Sequence, residues 1–414
     1  MQQQPEQHLH ARSGLRLGLG PAWVRSGRPG ASRFAWRVRQ ARIGLRRTRM
    51  RDAACRASHR WDNTPLVLIE PASRFGADSG FTAQPPCPTA VMPAAKAFSL
   101  DCFDGELARR MSPLEWQRIR TLRDHPGFLD GLARYGALMP DYFSDNIMLN
   151  RVVTEAWRFE MLVYTLHLHD QRDPGDPRSG LTIANLQRLC AAQKCASRGR
   201  VLAILGIMTV AGYLRRSKPT GDGRVVLLEP SAALIDIVEG WNHRILAIGD
   251  AIVADDPLAP WHAAHPRFGW EMRRLGAEGL LRGWKLLGPF PEVNHFVSRD
   301  GGWMLLLSCV AETMRLGGRD SLVPLSIDLK AFGARFGVSR SHLRRLLESA
   351  YAAGLLDAPP RNGAHIVLSP VLVASFLACM ASELDYYRGH ALTTRDGMQA
   401  GRAAVPAGAP LPVA

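Results

Sequence analysis

The stretch "RFGVSRSHLRRLL", residues 335–347, puts a turn and a serine ahead of a helix whose outer face is crowded with basic groups. Leu343, Leu346, Leu347 and Ala350 recur at the i, i+3, i+4, i+7 spacing that lines one side of an α-helix. That pattern turns Arg340, His342, Arg344 and Arg345 outward. Ser339 stands just before the periodic run, where its hydroxyl can accept a bond from an orphan N–H of the first turn. A capped helix with a basic outer face suits the major groove of DNA.

The stretch has an echo upstream. "SRGRVLAILGIMTVAGYL" (197–214) aligns without gaps to "SRSHLRRLLESAYAAGLL" (339–356), an offset of 142. Ahead of these segments "LTIANLQRL" (181–189) resembles "LSIDLKAF" (325–332), with Thr182 and Ser326 as expected N-caps. Behind them "RVVLLEP" (224–230) resembles "AHIVLSP" (364–370), each reached through a turn-rich loop, "SKPTGDG" or "APPRNG". Gly212 and Gly354 suit the end of the second helix, where a residue without Cβ takes a positive φ. Helix, turn, helix and hairpin make a winged helix, present twice.

A weaker echo extends further, "GLARYGALMPDYFSDN" (131–146) resembling "GLLRGWKLLGPFPEVN" (279–294). The duplicated unit is therefore expected to carry flanking helices, with domains at 112–254 and 261–390 joined by "ADDPLAP" and a flexible tail over 395–414. The expected fold is mainly α with small β-wings: tandem winged helix-turn-helix domains, flanking packing helices and a disordered basic N-terminal leader.

That leader is residues 1–91, which lack apolar periodicity and hold fifteen Arg and no Lys against five acids. Of the chain's +15 formal charge it accounts for +10, so the remainder is only mildly basic. A transit peptide or a nucleic-acid-binding arm fits this composition, and a natural start at Met92 is the alternative. The 414 residues, 46% of them hydrophobic, suffice for two or three domains. Seven Cys without framework spacing and without a secretory signal point to a reduced, cytoplasmic protein. Cys190 and Cys195 lack the second pair that a zinc site needs, and "VLAILGIMTVAGYL" is too short to span a bilayer.

The two motif cores, roughly 181–230 and 325–370, resemble the MarR-type winged helix-turn-helix transcriptional regulators of bacteria. Asp222-Gly223-Arg224 matches the Asp-x-Arg of that family's wing, "LLEP" and "VLSP" only approximate its second strand, and the second copy lacks Asp-x-Arg. The resemblance implies a sequence-specific double-stranded DNA-binding regulator. Family members usually carry one motif and dimerise, so this tandem chain is expected to be a monomeric pseudo-dimer or a homodimer.

The DNA-binding candidates divide by copy. Arg340, His342, Arg344 and Arg345 are candidates for base edges, and Ser339 and Ser197 for phosphates. The first copy has Leu202 and Ala203 where the second has Arg344 and Arg345, leaving Arg198 and Arg200 as its helix cations. Its loop adds Arg215, Arg216, Lys218 and Arg224, whereas the second loop offers Arg361 alone. The bland reading of such arginines is a solvated helix face. No catalytic or metal residues are expected: "HLHD" (167–170) and "WHAAH" (261–265) lack zinc-hydrolase spacing, and no nucleophile elbow, phosphate loop or dinucleotide fingerprint occurs. No cofactor is expected. The tryptophans at 157, 241, 261, 270, 284 and 303 read mostly as packing, and a pocket among their helices would suit a small aromatic effector. A tandem winged-helix initiator of replication or plasmid maintenance, and a winged-helix protein interaction module, are the other functional readings. The operator, the effector and the sign of regulation are not encoded legibly.

Overall fold

The computed structural model describes residues 95–143, 155–176, 178–218, 225–360 and 365–401. The leader, most of the expected tail, and the wing candidates Arg224 and Arg361 lie outside the described residues. The chain is mainly helical with a few short antiparallel strands. Among the described residues no helix is long and apolar enough to cross a membrane.

Strand β1 (Lys96–Ala97) and helix α1 (Asp104–Ala108) precede α2 (Pro113–Arg123), α3 (Phe128–Phe143) and α4 (Ala156–Asp170). The first motif copy follows as α5 (Ile183–Ala192), α6 (Arg198–Val210), β2 (Leu214–Ser217) and β3 (Leu227–Pro230), trailed by α7 (Ala232–Ile252). Helices α8 (Ala259–Ala264), α9 (Pro266–Leu281), α10 (Pro291–Val297) and α11 (Gly302–Gly317) lead to β4 (Ser321–Leu322). The second copy is β5 (Leu325–Ser326), α12 (Leu329–Phe336), α13 (Arg340–Ala352) and β6 (His365–Ile366), trailed by α14 (Pro370–Gln399).

The two copies repeat backbone bonds as well as elements. Each first helix ends on a residue with positive φ, Lys194 at 54° and Gly337 at 70°. The next N–H closes the turn, Cys195 donating to the Cys190 carbonyl at 3.1 Å and Val338 to Gly333 at 2.8 Å. A lysine in that conformation costs roughly 1 kcal/mol more than a glycine, so the second copy has the easier turn. Ser197 and Ser339 cap the second helices, their hydroxyls accepting from the Arg200 and His342 N–H groups. Gly212 (φ 78°) and Gly354 (φ 73°) end them, as expected. Tyr213 N–H then bonds Met208 O at 2.8 Å, and Leu355 N–H bonds Ala350 O at 2.9 Å.

The copies part at the strands. In the first, β2 and β3 form an antiparallel hairpin with Leu214 opposite Pro230 and Ser217 opposite Leu227. In the second, the expected hairpin shrinks to the bridge between Leu356 and Leu368, and β6 pairs instead with β5, Leu325 facing Ile366. Pro359 and Pro360 in the connecting loop have no N–H to offer a ladder. Ser326, the expected cap of α12, lies in β5; the cap is Asp328, whose carboxylate accepts the Lys330 and Ala331 N–H groups at 2.8 and 3.0 Å. Thr182 does cap α5, accepting from Asn185 N–H at 3.0 Å.

Helix α14 is the spine, packing against α2, α7, α9 and α10. Every residue from Leu372 to Leu384 is buried, as a helix apolar on all sides requires. It runs through 395–399, past the expected start of the tail, with Thr394 buried and Arg395 paired to Asp256. Packing also crosses the expected junction at 254–260. One apolar cluster joins Tyr135 of α3 and Ile245 of α7 to Leu343 and Leu347 of α13 and to α14. A separate cluster, built from residues such as Leu186, Val201, Leu205 and Met208, lies under the first copy.

Candidate nucleic-acid interface

Helix α13 is built as the sequence suggests on its inner side. Leu343, Leu346, Leu347 and Ala350 are at most 1% exposed. That burial stabilises the helix by about 1.5–3 kcal/mol for each leucine and fixes which side chains face solvent. Arg340, Arg344 and Arg345 are all exposed. Arg344 reaches Glu348 one turn on, 3.4 Å away, with both side chains more than half exposed. Such a pair is worth a few tenths of a kcal/mol and does not prevent exchange for a phosphate or a base. Arg345 has no ion pair among the described residues. Arg340 sits beside Asp328, whose carboxyl is held below its ordinary range by the Ala331 and Lys330 N–H groups and by nearby cations.

His342 departs from the expectation that it faces outward. It is half-buried, and its Nε2 is buried without a hydrogen-bond partner. The reason is helical phase: residues 342, 346 and 349 share one row, so His342 lies on the shoulder of the buried face. Ser349 of that row meets His295 of α10 at 3.0 Å.

In the first copy, Ser197, Arg198 and Arg200 are exposed at the start of α6. The Arg200 guanidinium lies over the Trp157 ring, 5.3 Å from its centroid, so it is anchored to α4. Beyond these residues the outer face of α6 is apolar: Leu202 is 49% exposed and Val210 83%, with Ala203 and Gly206 exposed between them. Arg215, Arg216 and Lys218 are exposed on and just after β2. Successive strand residues face opposite sides, so Arg215 and Arg216 cannot both address one surface. Arg215 also stands across the ladder from Glu229.

The structure therefore gathers Ser339, Arg340, Arg344 and Arg345 on one exposed helix, and Ser197, Arg198 and Arg200 at the head of its counterpart. Arg224 and Arg361 lie outside the described residues. Among the described residues no group of three or more His, Cys, Asp or Glu could hold a metal ion. Of the tryptophans, Trp241, Trp284 and Trp303 line a cavity of about 260 Å³ between the helices. Sequence reading missed Glu383 in its wall, because an acid beside Asp385 in "FLACMASELDYY" looks like an ordinary outward helix position.

No family model matches the chain, and neither a curated protein nor a solved structure matches it.

Proposed function

We propose that the protein is a cytoplasmic, sequence-specific double-stranded DNA-binding regulator of the MarR-like winged-helix type, in which the second copy reads bases. The observation that carries this reading is α13: a serine-capped helix buried on Leu343, Leu346 and Leu347 that exposes Arg340, Arg344 and Arg345. Arginine can bond guanine O6 and N7 in two places at once, which makes such a face suited to the major groove. The repeated caps and turns support a duplicated recognition unit.

The apolar outer face of α6 supports a second reading for the first copy alone, a protein interaction surface, because Leu202 and Val210 have nothing to offer phosphates. Selecting bound duplexes from a random pool with the full chain, then measuring affinity against salt, tests both. The regulator reading expects an enriched sequence and log K falling linearly with log[salt]. Absence of salt-dependent duplex binding would leave the interaction surface as the better reading.

A further inference from the structure

The cavity of about 260 Å³ lies among α3, α4, α7, α9, α11 and α14. Its wall includes Glu383, only 9% exposed, on the fully buried stretch of α14. The Tyr135 hydroxyl donates to that carboxylate, 3.2 and 3.3 Å from its two oxygens. No cation pairs with Glu383 among the described residues. The other charged groups of the wall have ion-pair partners: Glu155 pairs with Arg158 at 2.7 Å, Glu160 with Lys285 at 2.6 Å, and Arg273 with Glu239 and Asp170, although its Nε and Nη1 make no hydrogen bond. Glu383 is thus a wall carboxylate without an ion-pair partner among the described residues, and burial favours its neutral form until a cation arrives.

Around it stand aromatic rings set at steep angles. Tyr135 meets Trp241 and Trp303 edge to face, at centroid distances of 6.1 and 6.4 Å and interplanar angles of 84° and 87°. Trp241 Nε1 donates to the Tyr387 hydroxyl at 2.9 Å, which fixes a fourth ring beside them. A cation held within about 6 Å of such ring centroids is attracted by the ring faces it meets.

We infer that this cavity binds a small organic cation, an ammonium carrying an apolar or aromatic body, with Glu383 opposing the charge and Tyr135, Trp241, Trp303 and Tyr387 holding the rest. An apolar pocket with one directed polar group is the usual form of a ligand site. The inference is independent of DNA binding, since the ligand is measured without DNA.

The test uses the full chain and three probes: phenyltrimethylammonium, its uncharged carbon isostere tert-butylbenzene, and the anion phenylacetate, titrated against tryptophan fluorescence. Near pH 8 the cation should bind about tenfold more tightly than the isostere, and the anion weakest. In Glu383→Gln the preference for the cation should vanish while the isostere still binds. Equal binding of cation and isostere in the native protein, or tightest binding of the anion, would overturn the inference. Should Glu383→Gln fail to fold, the native protein decides alone. Burial holds Glu383 up at about 7, so cation affinity should rise between about pH 6 and pH 8 while isostere affinity stays flat. Burial also raises Asp170, the partner of Arg273, to about 6 and lifts Glu155, so the rise is read as the difference from Glu383→Gln, which keeps both groups. Tyr135 from α3, with Cys379 and Tyr387 on α14, are pushed well above their ordinary values by burial, and burial lowers His390, further along the wall, below its own. A cation affinity that does not change over this range would also overturn it.

Discussion

Leu202, Ala203 and Gly206 of the first copy occupy the outward positions that Arg344, Arg345 and Glu348 hold in the second, yet the two backbones share their caps, turns and closing bonds. Ser197 and Ser339 accept the same kind of N–H, and Gly212 and Gly354 end their helices at nearly the same φ. The copies differ in two further ways. The first rests on its own apolar cluster, while the second is continuous with the cluster around α14. The first keeps a four-residue hairpin, and the second keeps one bridge. Backbone geometry is held by caps and positive-φ positions, so outward side chains are free to differ between the two copies. A shared motif therefore says where a surface is, and its side chains say what it can hold.

The difference in cores predicts the largest effect. Leu347→Ala in the second copy should cost about 2–5 kcal/mol and lower the midpoint of the whole molecule, because the cavity opens in the shared cluster. Leu205→Ala in the first copy carries a similar local cost but should loosen chiefly α5, α6 and the β2–β3 hairpin. Hydrogen exchange read element by element distinguishes these outcomes, and uniform loss of protection in Leu205→Ala would break the comparison.

The next effect belongs to the shared cluster alone. Glu383 is held up at about 7 by burial, against about 4.3 for an unfolded glutamate. A raised carboxyl pKa makes the folded state the better proton binder between these values, so this group's contribution is full below about pH 4 and is lost as pH rises through 7. The loss should amount to roughly 4 kcal/mol. Denaturant midpoints across this range should fall in the native protein and be flatter in Glu383→Gln. Parallel curves would mean that Glu383 is not buried as described.

Smaller still are the caps, which should be alike. Ser197→Ala and Ser339→Ala should each cost about 1 kcal/mol in denaturant unfolding. A much larger loss at one of them would show that its hydroxyl does more than cap.

The sequence was legible wherever local chemistry acts within a few residues. Ser339, Thr182, Gly212 and Gly354 serve as their positions suggest, and the leucine row of α13 is the buried row. What depends on distant partners was not legible. Ser326 is not the cap because α12 begins only at Leu329, which puts Asp328 in the capping position. His342 lies on the shoulder of a face whose width is set by α10. The pairing of β1 with β4 and the meeting of Tyr135 with Glu383, 248 residues away, leave no periodic trace.

The central claim, that α13 reads sequence, is tested most directly by titrating the native chain and the Arg344→Ala and Arg345→Ala variants on a selected duplex and on its scramble, at two salt concentrations. The expected result is a loss of about 1–3 kcal/mol on the selected duplex for each variant, much less on the scramble, with melting temperatures nearly unchanged. Equal losses on both duplexes would contradict the claim and reduce Arg344 and Arg345 to phosphate clamps.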